Sequence, residues 1–174
     1  MEDIKPSAGQ SALYYGLLLA VVFILVHLVL YLVDQNQETA GMIISLIVFI
    51  AAVVVVQLDY RNKKCGGFLS YGRTVKIGFL SVLFASFMVA VYMFVYLSYI
   101  NPGEMLQVKT DAIQDIYNMG MDPEGEAQAV KIQEFVHTPV VYALFTILGY
   151  AFMGIIVALI TSIFIKKDEQ VSLG

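Results

Sequence analysis

The sequence predicts an all-α membrane protein: four transmembrane helices in an antiparallel bundle, with a short amphipathic helical hairpin between helices 3 and 4, and 1–174 forming a single domain. Three observations carry this fold class. The chain is 59% hydrophobic and 14% charged, with mean hydropathy +0.78, whereas soluble domains run at roughly 45–50% apolar and about 25% charged residues. Its apolar residues gather into four runs, each long enough for a hydrocarbon core of about 30 Å. Five of its ten Lys and Arg residues, namely Arg61, Lys63, Lys64, Arg73 and Lys76, fall in the stretch between the second and third runs. A short basic loop between two spans is held on the cytoplasmic side.

The expected spans are 12–33, 40–60, 71–100 and 139–165. The first eleven residues, MEDIKPSAGQS, lack the basic region and small-residue cleavage site of a secretory signal, so the first run is expected to stay as an anchor. That run carries no formal charge over 22 residues, about 33 Å at 1.5 Å per residue. Tyr14 and Tyr15 near one end and Tyr31 near the other suit the membrane–water interface. The six polar residues that follow permit only an antiparallel connection between neighbouring helices. In the second run, Val53, Val54, Val55 and Val56 would favour a strand in water. In lipid a lone strand leaves its backbone unsatisfied, so helix is expected.

Gly66 and Gly67 mark the end of the basic turn, and Ser70 is a suitable N-cap for the third span. From 71 to 100 is 30 residues, about 45 Å and longer than the core, so the turns with Arg73 and Lys76 either protrude into the headgroups or the helix tilts. Asn101 and Pro102 stop it. The segment 102–138 reads as an extracytoplasmic helical hairpin. In its first helix Leu106, Ile113, Ile116 and Tyr117 fall near one face and Gly120 supplies the stop. In the second, Asp122 caps, Pro123 takes the first helical position, and Val130, Ile132, Phe135 and Val136 give a looser apolar side. The hairpin is too small for a core of its own. Thr138 and Pro139 open the fourth span, which Lys166 and Lys167 close.

Orientation follows from the basic residues. Lys5, the five of the 60–76 loop, Lys166 and Lys167 make eight on one side, against Lys109 and Lys131 on the other. That bias predicts both termini in the cytoplasm. Net charge is −4 and the basic residues are few and localised, which sets nucleic acid aside as a partner. Cys65 is the sole cysteine and His27 and His137 the only histidines, so neither an internal disulfide nor a zinc-type cluster is expected. No nucleophile with a base, no paired carboxylates in a cleft and no cofactor motif is present, so the expected protein is not an enzyme and holds no cofactor or metal.

The residues also carry a resemblance. Tyr60-Arg61, the Gly67-Phe68-Leu69-Ser70-Tyr71-Gly72 step into the third span, the series Tyr92, Tyr96 and Tyr99 ending in Asn101-Pro102, and Gly154 ahead of Lys166-Lys167 resemble an uncharacterised family of bacterial four-helix membrane proteins, a domain of unknown function typical of Bacteroidetes. The likeness covers nearly the whole chain. It implies a cytoplasmic (inner) membrane location and no activity, and it transfers no functional residue.

Several side chains bear on function. His27 lies six residues inside the first run, about 9 Å deep; an ionisable group there marks function by default, though one interhelical hydrogen bond to a neutral imidazole explains it as well. Tyr92, Tyr96 and Tyr99 share a helix face, and Tyr92 is deep enough to need a partner for its hydroxyl. Gln57 and Asp59 sit at the inner end of the second span beside Arg61, Lys63 and Lys64, and the carboxylate is expected to pair with those cations at headgroup level. Gly16 with Ala20, Ser81 with Ala85, Ser86 with Ala90 and Gly154 with Ala158 have the four-residue spacing that lets helices approach. Counting inward from the outer ends, His27, Tyr92, Tyr96, Tyr142 and Thr146 share one layer, and polar groups in lipid are cheaper turned inward. They predict an outer-half polar layer, with the hairpin as a lid if it encloses a pocket, or a closed hydrogen-bonded core if it does not. Beyond the lipid bilayer, the expected partner is another membrane protein or a second copy of this chain, in a structural or accessory role. Binding or transport of a small solute or lipid through the outer pocket is the alternative.

Overall fold

The computed structural model of the protein describes residues 8–35 and 38–167. Lys5 and the two chain ends, on which part of the orientation reading rests, lie outside the described residues, as do two residues of the first connection. Among the described residues six α-helices follow in order: α1 (Ala8–Leu32), α2 (Thr39–Asp59), α3 (Tyr71–Val95), α4 (Pro102–Asn118), α5 (Pro123–Val136) and α6 (Pro139–Ile165). Two π-helical segments, Tyr60–Lys64 after α2 and Tyr96–Ile100 after α3, extend the second and third. Four of these continuous helices are long and apolar enough to cross a membrane: Ala8–Leu32, Thr39–Lys64, Tyr71–Ile100 and Pro139–Ile165. Among the described residues the sole β pairing is one isolated antiparallel bridge, Leu69 with Lys167.

The chain divides into two compact units, 1–89 with 149–174, and 90–148. In the first unit the buried stripes are read off small and hydroxyl side chains. On α1 they are Ala12, Tyr15, Gly16, Leu19, Ala20 and Phe23, and on α6 Gly154, Val157, Ala158, Thr161, Ser162 and Ile165, each repeating at the three- and four-residue steps of one helix face. On α3 the stripe includes Thr74, Ile77, Ser81, Val82, Ala85 and Ser86. The glycines show how closely the helices meet. A Cβ on Gly16 would stand 2.6 Å from the Phe84 Cβ and 3.0 Å from the Ser81 carbonyl oxygen, and one on Gly154 would stand 2.7 Å from a Val82 methyl. α3 is thus contacted by α1 on one side and α6 on another. Phe23, Phe49 and Tyr150, one each from α1, α2 and α6, pack with ring centroids 5.2–5.8 Å apart.

The four valines 53–56 are helical, as a lipid environment requires. α1 begins four residues before the expected start, and it ends in a six-to-one turn: Gln35 N–H donates to the Leu30 carbonyl at 2.8 Å and Asp34 N–H to Tyr31 at 3.1 Å. Asp34 supplies the left-handed residue, φ 53°, which a short polar side chain tolerates.

In the second unit the end of α3 leads through the π turn into α4 and α5. Asp122 is extended and accepts from Gly125 N–H, Pro123 is in the first turn of α5, and Gly120 ends the preceding turn at φ 62°. The buried face of α4 differs from the expected one. Met105 and Ile116 are buried, whereas Leu106 and Tyr117 are exposed; the helix is rotated by about one residue, since Met105 and Ile116 are three turns apart on a common face. Lys109 and Glu134 join α4 to α5 at 3.6 Å, a partly exposed pair worth little.

The close approaches give a prediction. Gly16→Val and Gly154→Val should each lower stability by about 1–3 kcal/mol through overpacking, while Gly72→Ala, with nothing within 4 Å of its new Cβ, should be neutral or stabilising by up to about 1 kcal/mol. Unfolding in mixed micelles measures all three; equal effects at the three sites would contradict the packing.

Candidate functional site

Three polar clusters interrupt the apolar helices. The deepest is centred on Gln57, which is fully buried in the first unit. Its amide nitrogen donates to Ser162 Oγ at 3.1 Å, to the Thr74 carbonyl at 3.3 Å and to the Ala158 carbonyl at 3.4 Å. Its oxygen accepts from Thr161 Oγ1 at 2.8 Å. α2 supplies the amide, and α3 and α6 supply the partners. A Cβ on Gly78 would stand 2.7 Å from the Gln57 nitrogen, so α3 leaves room for the amide by having glycine there.

The second cluster lies at one end of α1 and α2. Tyr15 donates its hydroxyl to Asp59 at 2.7 Å, and Lys63 pairs with the other carboxylate oxygen at 2.6 Å. Of the cations expected to pair with Asp59, Lys63 does so, Arg61 instead reaches the end of α6, and Tyr15 is an added donor. The rings of Tyr14 and Tyr60 meet that of Tyr15 edge-on at 5.4 and 6.4 Å.

The remaining loop cations have distinct tasks. Arg61 donates through a guanidinium nitrogen to the Ile165 carbonyl at 2.8 Å, capping the end of α6, where positive charge is favoured. Gly67 N–H donates to the Arg61 carbonyl at 2.9 Å, and the bridge between Leu69 and Lys167 closes with bonds of 2.8 and 2.9 Å. The Lys167 ammonium lies 5.3 Å from the Phe68 ring centre. Lys64, Arg73 and Lys76 are exposed. The basic loop and the end of α6 are thus one stapled surface.

The third cluster, in the second unit, contains part of the layer expected from sequence. Tyr96 is fully buried, and its hydroxyl donates to Glu104 at 2.6 Å. The Asn101 amide donates to the same carboxylate oxygen at 2.9 Å and to the Tyr96 hydroxyl at 3.1 Å. Tyr92 stacks on Tyr96 at 5.9 Å, and the Glu104 charge acts on Tyr92 and Tyr142. Glu104 lies in the first turn of α4, where the helix dipole favours a carboxylate. Thr146 gives its proton to the Tyr142 carbonyl of its own helix at 3.0 Å. His27 is half-buried on α1, in the other unit. Tyr99 leaves the face of Tyr96 and is 76% exposed, because the wider π turn that starts at Tyr96 changes the angular step between residues.

Comparison with protein families decides the relationship. The profile described as "Protein of unknown function (DUF4199)" matches residues 13–167. The chain belongs to the DUF4199 family. No curated protein and no solved structure matches it.

Sequence reasoning missed three features of this DUF4199 chain. Gln57 is one: an amide two residues deeper than Asp59 and immediately after the valine run already signals a need for buried partners. Glu104, one acid among several in the hairpin segment, is another. Its signal is the Asn101-Pro102-Gly103-Glu104 spacing, a cap residue with an acid three positions on. The π segments have no recognisable sequence signal. Among the described residues, no three His, Cys, Asp or Glu side chains gather as a metal set.

For the Tyr96 cluster, Tyr96→Phe should cost about 1.5–3 kcal/mol, the range for a hydrogen bond to a charged group. Tyr99→Phe should change stability by no more than about 0.5 kcal/mol. Equal losses in a denaturation series would show that the Tyr96 hydroxyl contributes nothing.

Proposed function

We propose that this DUF4199 protein is a multi-pass protein of the bacterial cytoplasmic (inner) membrane, its spans an antiparallel bundle and both termini cytoplasmic, which acts without catalysis as an accessory or interaction subunit. One observation supports this reading most: the outward surface of the spans. Among the four described spans α6 is the least buried and α3 the most, and Phe152 and Phe164 on α6 are 66% and 81% exposed. Bulky rings projecting from one helix offer shapes for van der Waals packing against a partner helix, one of the contacts on which association in lipid depends. The alternative, passage or storage of a small solute in the outer half, needs polar groups free to receive it. The hydroxyl of Tyr96, the amide of Asn101 and the Glu104 carboxylate bond to one another, which favours a closed core.

A photoreactive side chain placed at Phe152 in native membranes should give one discrete protein adduct of higher mass, either with another protein or with a second copy. Lipid adducts alone would contradict the reading. The topology is tested separately, with an impermeant thiol reagent on intact cells in a Cys65→Ser background. Gln114→Cys should be labelled and Gly72→Cys should not until the cells are lysed; the reverse would overturn the orientation. Neutralising Arg61, Lys63, Lys64, Arg73 and Lys76 together should mix the two orientations, whereas neutralising Lys109 and Lys131 should not.

A further inference from the structure

Two openings at the Asp59 end of α1 and α2 share a wall. One is polar, about 280 Å³, lined by Gln10, Ser11, Tyr14, Tyr15, Asp59, Lys63 and Lys64. The other is an apolar groove of about 560 Å³ that begins at the same Tyr14, Tyr15, Asp59 and Lys63 and continues between α1 and α2 to Val22 and Ile47. Along α2, Ile47 to Asp59 is about 18 Å at 1.5 Å per residue, slightly more than half of a hydrocarbon core of about 30 Å. The groove therefore has the length of one membrane leaflet and ends in a polar site where the headgroups would lie.

Ser11 makes the polar end more than a surface dent. It is 5% exposed, and its hydroxyl is buried without a hydrogen-bond partner while lining that opening. An unsatisfied buried hydroxyl is costly, and an acceptor oxygen delivered to it removes the cost. Tyr15 is not available for this, because its proton is given to Asp59. Lys63 has one of its three ammonium donors on Asp59 and retains two. Lys64 is exposed beside it. Asp59, Lys63 and Lys64 together leave one net positive charge, which favours an anionic ligand over a zwitterionic one.

We propose that this end of α1 and α2 binds one anionic glycerophospholipid, with its phosphodiester among Ser11, Tyr14, Lys63 and Lys64 and one acyl chain in the α1–α2 groove. The polar opening by itself would suit any small phosphate; its continuity with an apolar groove of leaflet length selects the lipid. The site rests on α1 and α2 lying in a bilayer. It is independent of the orientation of the chain and of any partner on α6.

The chain has no tryptophan, so a single introduced one reports on a single place. Val55→Trp lies on the wall of the groove and is exposed; Phe152→Trp lies on α6, outside it. Each is reconstituted in vesicles of phosphatidylcholine with brominated phosphatidylglycerol, or the reverse labelling, and quenching gives the relative binding constant of the two lipids. The proposal expects a preference of about fivefold for phosphatidylglycerol at Val55→Trp, the effect of one net charge at a membrane surface, and none at Phe152→Trp. Adding Lys64→Gln should reduce the preference to about one, and Ser11→Ala should lower it in part. Equal quenching by both lipids at Val55→Trp, or a preference unchanged by Lys64→Gln, overturns the site while the membrane reading stands. No quenching by either lipid overturns the site together with the membrane reading.

Discussion

The Gln57 amide is buried in an apolar helix, and the cost of leaving such a group unsatisfied constrains everything around it. Its two N–H groups are shared among the Thr74 and Ala158 carbonyls and the Ser162 hydroxyl, and its oxygen accepts from Thr161. Those partners fix which faces of α3 and α6 turn toward α2. The same demand explains glycine at 78, where any side chain would collide with the amide, and the hydroxyl side chains of Thr161 and Ser162 on α6. In lipid there is no hydrophobic force between apolar helices, so association depends on close packing and on such polar contacts. Gly16 and Gly154 supply the packing, and Gln57 supplies the polar contact that sets the register.

The ends of the helices follow another rule, which is that charge stays where water or headgroups reach it. Asp59 is shared by Tyr15 and Lys63, Arg61 caps α6, and Lys167 is drawn back onto Phe68. Five cations that in sequence form one block are in structure divided between tethering the loop and facing solvent. That division matters for function: the residues free to meet a headgroup are those that the tether does not use.

Much of this was legible in the sequence, and for identifiable reasons. Span number and helix stops follow from apolar run length and from Gly66, Gly67, Gly120 and the prolines, which act locally. The inward faces were legible only through small residues, because a helix that is apolar all round carries no hydrophobic periodicity to read; Gly16 with Ala20 and Gly154 with Ala158 were sufficient. What sequence could not provide was contact across long separations. Thr161 lies 104 residues from Gln57, and nothing local marks either as the other's partner. Tyr99 was grouped with Tyr96 by a 3.6-residue period that the π turn does not keep, and on α4 the neighbouring apolar pairs Met105-Leu106 and Ile116-Tyr117 leave the buried member of each undecided by sequence.

The central claim is that the Gln57 amide is held by hydroxyl side chains of α6, and a double-mutant cycle between Gln57→Leu and Thr161→Val, read by reversible unfolding in mixed micelles, tests it most directly. The account predicts non-additive losses with a coupling of about 0.6–1.7 kcal/mol, the range found for hydrogen bonds between membrane helices. Strictly additive losses would contradict it.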